Sequence, residues 1–280
     1  MEQQNRMIAL PYEENHYLKA NYLPLMKTYL SGRFWSIGLL TAFLSLSLIA
    51  SVFAQQPPYD LPKSKYGLPV VNDVEIYKKI IATDPDNELV DMRQILPNAQ
   101  FDVTYAKTTN FLKRKLYPSE DVFMRKPAAL AIRQASENLK KQGFGLLLFD
   151  GYRPYAITVL FYEEHGDTTF VADPRKGSKH NRGMAIDLSL FDLKTGKRLS
   201  MPSDYDESTP RAYHSYMDSD SASLAHRAIL RSAMEQVGFA IFPWEWWHYD
   251  FKGWESCFTY DLSHAAIRQA NKTLRKAKTK

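Results

Sequence analysis

An imidazole, a glycine and a carboxylate follow one another in the segment Ser178-Lys179-His180-Asn181-Arg182-Gly183-Met184-Ala185-Ile186-Asp187. From Gly183 to Leu190 the residues alternate, with an apolar set on one side and Asp187 in the other set. This alternation predicts a half-buried β-strand that carries Asp187 on the face away from the apolar row. Because Gly183 lets the chain turn before this strand, we expect His180 to lie beside Asp187.

A second motif, Glu245-Trp246-Trp247-His248, supplies another imidazole and another carboxylate. Two imidazoles and one carboxylate leave the fourth tetrahedral position of a zinc ion free for water, as in catalytic zinc sites. Zinc lowers the pKa of such a water to about 7, and a neighbouring carboxylate that does not bind the metal can accept its proton. The candidate zinc ligands are therefore His180, Asp187 and His248, and the candidate general base is Glu245.

The residues alone leave a structural alternative open, because His and Asp side chains also close loops and cap strands without binding a metal. The apolar surroundings of Glu245 nevertheless favour a functional reason for its charge. Glu245 and His248 are three positions apart and would point to opposite faces of one regular strand. We therefore expect Glu245 at a turn or bulge after Pro243, and His248 on a following strand, 247–251.

The order of the predicted elements indicates the fold class. Helical periodicity and end signals predict helices at 73–83, 126–141, 155–164 and 221–238. Short apolar or alternating runs predict strands at 88–95, 101–105, 145–149, 183–190 and 239–251. The sequence contains no regular βαβ repeat and no G-x-G-x-x-G motif. We predict an α+β fold with an antiparallel sheet, helices packed on one face and the metal on the other.

Two further segments carry candidate functional side chains. Arg153 lies in Asp150-Gly151-Tyr152-Arg153-Pro154, a sharp turn at the end of an apolar run, where a sheet can present a side chain to a cleft. A guanidinium beside a hydrolytic site can hold a developing oxyanion, although a plain surface arginine is the alternative. The long polar segment 192–219, expected to form a lid or rim, contains Asp206, which could equally be a solvated loop acid.

These motifs resemble those of the zinc D-alanyl-D-alanine dipeptidases, the family that includes the vancomycin-resistance dipeptidase. The resemblance extends from about Val71 to Tyr260. The segments that carry it are Ser178-x-His180-x-x-Gly183-x-Ala185-x-Asp187, Glu245-x-x-His248, Asp150-Gly151-Tyr152-Arg153-Pro154 and Met201-Pro202-Ser203-x-Tyr205-Asp206. It implies the fold that zinc D,D-peptidases share with the Hedgehog signalling domain.

The resemblance also implies a role for each matching residue. The residues that would bind one zinc ion per chain are His180, Asp187 and His248. Glu245 would be the general acid and base, and Arg153 would stabilise the transition state. Asp206 would receive the free ammonium of a dipeptide, and Ser178 would contact the substrate.

The activity implied is hydrolysis of D-Ala-D-Ala, or a similar D,D-dipeptide, in peptidoglycan metabolism. One alternative is a zinc D,D-carboxypeptidase or endopeptidase that acts on peptidoglycan itself. Asp206 argues against it, because a longer chain has no ammonium group at that position. Another alternative is a non-catalytic wall-binding module, which the presence of Glu245 and Arg153 disfavours.

An uncharged apolar segment, 34–54, follows Arg33 and ends in Val52-Phe53-Ala54. It is long enough for a membrane anchor, but its serines and threonines and its small terminal residues favour a cleaved signal peptide. We expect translation to start at Met26, because a long extension before a signal peptide is unusual. The sequence thus predicts export to the periplasm or cell envelope, with membrane contact only through this segment. The predicted regions are the extension and signal peptide 1–54, a linker 55–70, a catalytic domain 71–262 and a basic tail 263–280.

The formal net charge of the 280-residue chain is +5, and basic residues are concentrated at its end. These are Arg268, Lys272, Arg275, Lys276, Lys278 and Lys280. We expect a solvated, partly disordered tail there. No nucleic-acid-binding signature is present, so the expected partner is a small dipeptide. Cys257 is the single cysteine, which excludes an internal disulfide.

Overall fold

The computed structural model describes residues 59–166 and 171–278. Its helices are α1 (Val74–Thr83), α2 (Met92–Ile95), α3 (Lys126–Lys140), α4 (Tyr155–His165), α5 (Ser221–Glu235) and α6 (His264–Lys278). Its strands are β1 (Leu89–Asp91), β2 (Gln100–Phe101), β3 (Phe123–Arg125), β4 (Phe144–Asp150), β5 (Ala185–Asp192), β6 (Phe239–Phe242) and β7 (Glu245–Phe251). Within these described ranges no helix has the length and apolar character needed to cross a membrane. The predicted signal peptide, 34–54, and the predicted start at Met26 lie outside them.

A five-stranded sheet with the order β2-β4-β5-β7-β6 forms the centre of the described part. Neighbouring strands pair antiparallel from β4 to β6, whereas β2 pairs parallel with β4. The parallel pair arises because α3 lies between β2 and β4 in the chain and returns it to the same end of the sheet. The predicted α+β class is confirmed, and the expected antiparallel pairing holds except at this short edge strand.

Helices α3 and α5 contact each other and pack against the sheet. The buried side chains of α3 recur at helical spacing and include Ala128, Ile132, Ala135 and Leu139. Those of α5 include Leu230, Ala233 and Met234, and Asp220 caps the helix by accepting a hydrogen bond from Ser223 N. Apolar residues of both helices and of the sheet form the main core.

Strand β5 is buried on both faces, so the prediction of a half-buried strand is wrong. Its polar residues Asp187 and Ser189 are as inaccessible as its apolar row. Tyr205, from the long polar segment after β5, donates a hydrogen bond to Asp187 Oδ2 at 3.0 Å. Sequence alternation reports side-chain polarity alone, and it cannot show that a distant loop covers the polar face.

Helix α6 corrects the prediction of a solvated, partly disordered tail. Its residues Ile267 and Ala270 are buried in a second apolar cluster with Tyr77 and Ile80 of α1. Asn271 Nδ2 donates to the carbonyl oxygen of Leu89 at 2.7 Å. The basic residues Arg268, Lys272, Arg275 and Lys276 are exposed on the other side of this amphipathic helix, which explains how a charged segment can still pack on the domain.

Two other predicted segments differ from the structure. The predicted strand 88–95 is divided, because the Asp91 side chain accepts a hydrogen bond from Arg93 N and starts helix α2. The predicted linker 55–70 is not simply extended where it is described, since Lys63 and Pro69 form an antiparallel bridge. Immediately after it, Val71 N donates to Thr259 O at 2.9 Å. Tyr59 and Leu61 also pack against the second apolar cluster, so this part of the predicted linker belongs to the domain.

Candidate metal centre and substrate cleft

Three adjacent strands align the polar residues at one end of the sheet. Asp150 of β4 is the register partner of Asp187 of β5, and Asp187 is in turn the partner of His248 of β7. A bulge between Leu148 and Asp150 shifts the register so that this alignment is reached. The sheet therefore fixes the relative positions of two predicted metal ligands through backbone hydrogen bonds.

The third predicted ligand, His180, lies on a short 3-10 turn immediately before β5. Gly183 ends this turn with φ +63°, and a β-carbon there would lie 2.9 Å from Arg125 N. Arg125 Nε donates to the carbonyl oxygen of Arg182 at 3.0 Å, and Arg153 N donates to that of His180 at 3.1 Å. The turn is thus held against β3 and the end of β4, and its imidazole points toward Asp187 as predicted.

The nitrogen and oxygen atoms of the three predicted ligands face a common point. His180 Nε2 lies 3.2 Å from His248 Nδ1 and 3.4 Å from Asp187 Oδ1. His248 Nδ1 lies 3.0 Å from Asp187 Oδ1. Ligand atoms at about 2.0–2.1 Å around a tetrahedral ion lie roughly 3.3 Å apart. The spacing and the N, N, O donor set therefore fit a single zinc ion, and among the described residues these three form the group able to hold a metal.

Each of the two candidate histidine ligands is oriented by a hydrogen bond through the ring nitrogen that faces away from the candidate metal position. His180 Nδ1 lies 2.7 Å from the carbonyl oxygen of Gly151, which can only accept, so this nitrogen carries the proton. His248 Nε2 lies 2.9 Å from Asp250 Oδ1. Such outer partners fix the tautomer and ring plane of metal-binding histidines. They leave His180 Nε2 and His248 Nδ1 available to a metal.

The charged groups among the candidate metal ligands strongly shift one another's pKa values. Burial by itself would raise the pKa of Asp187, but His180 and His248 outweigh it and hold that pKa well below its ordinary value. Burial lowers the pKa of His248, but its hydrogen bonds to Asp187 and Asp250 outweigh that effect and raise the pKa to about 10. A metal ion that binds here must therefore displace a proton from His248.

Glu245 is the first residue of β7 and lies next to the candidate ligands. Its Oε2 is 3.7 Å from His248 Nδ1. Phe242 pairs with Glu245, and the register between β6 and β7 shifts between Ile241 and Phe242. The irregular pairing that we expected next to Glu245 is therefore present. Burial and then the charge of Asp187 raise the pKa of Glu245 despite the opposing effect of His248. A carboxylate with a raised pKa at this distance can exchange a proton with a water in the cleft.

Arg153 is held by Asp150 rather than being a surface arginine. Its Nε and Nη2 donate to Asp150 Oδ2 at 3.0 Å and 2.8 Å. The guanidinium also lies over the rings of Tyr105 and Phe161, at 5.1 Å and 4.9 Å from their centroids. Burial alone would lower the pKa of Arg153, but the surrounding acidic groups, Asp150 first among them, together outweigh burial and raise it, so the side chain keeps its positive charge.

Asp206, on the long segment after β5, also lines the cleft. Its backbone has φ +62°, a conformation that is uncommon for a residue other than glycine. Tyr105 Oη donates to Asp206 Oδ2 at 2.9 Å. Burial, and then Asp187, raise the pKa of Asp206 to about 8. A substrate ammonium would favour the ionised form, so this carboxylate is suited to an amino terminus.

One cavity of about 350 Å³ joins all the predicted site residues. They are Arg153, Ser178, His180, Asp187, Asp206, Glu245 and His248. Ser178 is buried at its wall, and its Oγ accepts a hydrogen bond from His180 N at 3.2 Å. The structure therefore brings together residues that are far apart in the sequence, and it leaves none of the predicted set outside the cavity.

Residues 85–266 match the sequence profile of the peptidase M15 family, described as D-ala-D-ala dipeptidase. The chain belongs to this family. A D-alanyl-D-alanine dipeptidase from Enterococcus faecalis is 30% identical over an alignment of 184 residues that covers 59% of this chain and 91% of the relative. The relative of the same name from Streptomyces coelicolor is 32% identical over 179 residues, 57% of this chain and 89% of its own. The relative from Escherichia coli is 30% identical over 163 residues, and the match covers 58% of this chain and 84% of the relative.

Membership of the D-ala-D-ala dipeptidase family confirms the resemblance inferred from the motifs and makes the chain a metallopeptidase. The motifs did not assign several residues that shape its site. Asp150 lies inside the quoted arginine motif, and Asp250 follows His248 at the i+2 spacing that shares one face of a strand, so both were detectable. Tyr105 gives no local signal, because its contact with Asp206 joins distant parts of the chain.

Proposed function

We propose that this protein is a zinc-dependent D,D-dipeptidase that hydrolyses D-Ala-D-Ala or a closely similar dipeptide. The observation that carries this proposal is the convergence of His180 Nε2, Asp187 Oδ1 and His248 Nδ1 within 3.0–3.4 Å of one another. The names of the similar proteins support the substrate class. Residues that could complete a peptidase site line the same cavity.

A bound zinc ion would polarise the scissile carbonyl and supply a nucleophilic water at neutral pH. Glu245 accepts the proton of the attacking water at its carboxylate and later returns it to the leaving nitrogen. Its raised pKa suits both steps, because the group must gain and lose a proton near neutral pH.

Arg153 and Asp206 provide opposite charges for two groups, the oxyanion that forms in the transition state and the ammonium of the substrate. The Asp150 carboxylate holds the Arg153 guanidinium in one orientation, so it can donate to the oxyanion that develops on the scissile carbonyl. Asp206 accepts hydrogen bonds from the free ammonium of the dipeptide. A peptide that is extended or acylated at its amino terminus lacks that charge and leaves Asp206 without its partner. The site therefore selects dipeptides.

We also propose that the enzyme is exported to the periplasm or cell envelope. This proposal rests on the uncharged segment 34–54 and the small residues before Gln55. An exported dipeptidase would act on dipeptides released from peptidoglycan. Mass spectrometry of the protein from the native cell envelope tests this, since cleavage leaves Gln55 as the first residue. Recovery of peptides that span Ala54 and Gln55 from the mature protein would contradict cleavage.

The proposed activity is tested with purified, zinc-loaded protein. The substrates are L,L-, L,D- and D,D-dipeptides, N-acetyl-D-Ala-D-Ala and a muramyl pentapeptide that ends in D-Ala-D-Ala. We expect hydrolysis of D-Ala-D-Ala and at least a hundredfold lower kcat/KM for the two blocked substrates. Comparable kcat/KM for the pentapeptide would identify a carboxypeptidase instead. Binding of wall fragments without hydrolysis of any substrate would identify a non-catalytic module.

A further inference from the structure

An ion pair connects the two segments that carry the candidate metal histidines. Lys179 precedes His180 in the turn before β5, and its Nζ lies 2.7 Å from Asp250 Oδ2. Asp250 is on β7, and its other oxygen, Oδ1, lies 2.9 Å from His248 Nε2. A single carboxylate thus bridges the ammonium of one segment and the imidazole of the other.

The surroundings of this ion pair distinguish it from an ordinary surface pair. The Lys179 and Asp250 side chains are 29% and 10% exposed. Lys179 Nζ also lies 5.1 Å from the centre of the Trp254 ring and 5.7 Å from that of Phe242. Fully exposed pairs contribute little because water screens them, whereas a half-buried pair with aromatic neighbours is better fixed in position.

The need for such a link follows from how the three ligands are supported. Asp187 and His248 are direct partners in the β5–β7 pairing, so the sheet sets their separation. His180 lies outside the sheet, on a turn whose backbone carbonyl oxygens accept hydrogen bonds from other segments. The donors are Arg125 N, Arg153 N, Met184 N and Tyr260 N. These bonds attach the turn to β3, the end of β4, β5 and the segment before α6, whereas the Lys179 side chain attaches it to β7.

We propose that Lys179 and Asp250 are positioning residues for the metal centre. Asp250 holds the His248 ring so that Nδ1 faces the metal, and Lys179 holds Asp250 in place while it fixes the His180 turn relative to β7. This inference rests on the proposed function only in requiring that the three ligands bind zinc. It goes beyond the quoted motifs, which leave position 179 unspecified and do not include Asp250.

The experiment compares the zinc affinity of four variants with that of the wild type. Asp250→Asn and Lys179→Met remove one partner each, a double variant removes both, and Lys179→Arg retains the charge. Lys176→Met is the matched control, because Lys176 is an exposed lysine on the same loop and lines the same cavity. Zinc dissociation constants come from competition with a chromophoric chelator, and the visible spectrum of the Co²⁺ protein reports ligand geometry.

We expect the Asp250→Asn and Lys179→Met changes each to weaken zinc binding about 10- to 100-fold, as for other outer partners of metal ligands. The double variant should lose less than the product of the single effects, because both residues act through one contact. Lys179→Arg should restore most of the affinity and the wild-type Co²⁺ spectrum. Lys176→Met should match the wild type.

Two results would overturn the inference. The first is a zinc affinity within threefold of wild type in the Lys179→Met protein, even if its metal-free form melts at a lower temperature, because the pair would then be only structural. The second is independent, multiplicative losses in the double variant. Failure of the wild-type protein itself to bind zinc would instead contradict the proposed function, so the two failures are distinguishable.

Discussion

Asp187 lies directly opposite His248 in the antiparallel pairing of β5 with β7, and Asp187 Oδ1 is 3.0 Å from His248 Nδ1. A slip of one residue in this pairing would turn one of the two side chains to the other face of the sheet. The bulge in β4 then places Asp150 next to Asp187 in the same row. The register of the central strands therefore aligns two of the three candidate metal ligands, and the loops add His180, Arg153 and Asp206 around them.

Replacement of Glu245 by glutamine should abolish proton transfer while it preserves the metal centre. Glutamine has a similar shape but cannot accept the proton of the attacking water, so kcat for D-Ala-D-Ala should fall by about 10²–10⁴. Zinc affinity should stay within threefold of wild type, because Glu245 Oε2 is 3.7 Å from His248 Nδ1 and Glu245 is not itself one of the three candidate ligands. Steady-state kinetics and chelator competition measure the two quantities.

The control for that experiment is Glu255→Gln, which changes an exposed glutamate outside the cavity. It should leave kcat unchanged. Wild-type turnover in the Glu245→Gln protein would refute the assigned base. Loss of zinc together with turnover would show that Glu245 supports the metal rather than the proton transfer.

Replacement of Asp150 by asparagine should reduce both stability and catalysis. Asp150 Oδ2 accepts two hydrogen bonds from Arg153, and its Oδ1 accepts from Tyr117 Oη at 3.0 Å. Removing one partner of a buried ion pair costs about 3–5 kcal/mol. We expect urea unfolding to show a loss of unfolding free energy near the lower end of this range, because the cleft gives Arg153 some access to water. The kcat should fall at least tenfold, since the guanidinium is no longer fixed.

The matched control is Glu235→Gln, which breaks the exposed ion pair with Arg231 on α5. Such pairs contribute about 0.3–0.5 kcal/mol, so unfolding should barely change. Equal losses of unfolding free energy in the Asp150→Asn and Glu235→Gln proteins would show that burial does not strengthen the Asp150–Arg153 pair.

Much of the fold was predictable where local signals and packing agree. Helix α3, with Pro127 in its first turn and a regular apolar stripe, begins where its sequence predicts and ends one residue earlier. The seven candidate site residues were named mainly from the resemblance of their motifs to a known family, and we expected them to lie together; their roles stay predictions. Their convergence in one cavity matches that expectation.

The errors share a physical cause, namely contacts between distant parts of the chain. Helix α6 is strongly basic and looks like a solvated tail, but Ile267 and Ala270 bury an apolar stripe against α1. The polar face of β5 looks exposed until Tyr205 covers Asp187. Neither contact leaves a signal within a short window of sequence, so local reasoning could not find it.

Asp206 should make the stability of the metal-free protein depend on pH. Burial and then Asp187 raise its pKa from 3.8 to about 8. Between about pH 4 and 8 the folded state keeps this proton and the unfolded chain does not, so ionisation of Asp206 lowers stability as the pH rises. Asp206→Asn removes this contribution. Its stability relative to wild type should therefore increase with pH over that interval.

Urea unfolding at pH 5, 6, 7 and 8 in the presence of a chelator measures this difference. The advantage of Asp206→Asn over wild type should grow by up to about 1.4 kcal/mol per pH unit. Because His248 and Glu245 are present in both proteins, their own titration largely cancels in the comparison. Parallel stability curves for the two proteins would show that Asp206 is already ionised in the folded state.

Replacement of Gly183 by alanine should displace His180 from the metal centre. A residue with a β-carbon at φ +63° costs about 1–2 kcal/mol. Here the new β-carbon would also lie 2.9 Å from Arg125 N, a backbone atom that can move only with strand β3. Gly196→Ala is the matched control, because Gly196 has φ +70° but its nearest neighbour would be 4.0 Å away. We expect the Gly183→Ala change to lower the free energy of unfolding, measured in urea, by at least about 2 kcal/mol and the zinc affinity at least tenfold. The Gly196→Ala change should lower the free energy of unfolding only by the backbone cost and should leave zinc affinity at the wild-type value. Equal zinc affinity in the two variants would mean that the close packing at Gly183 does not position His180.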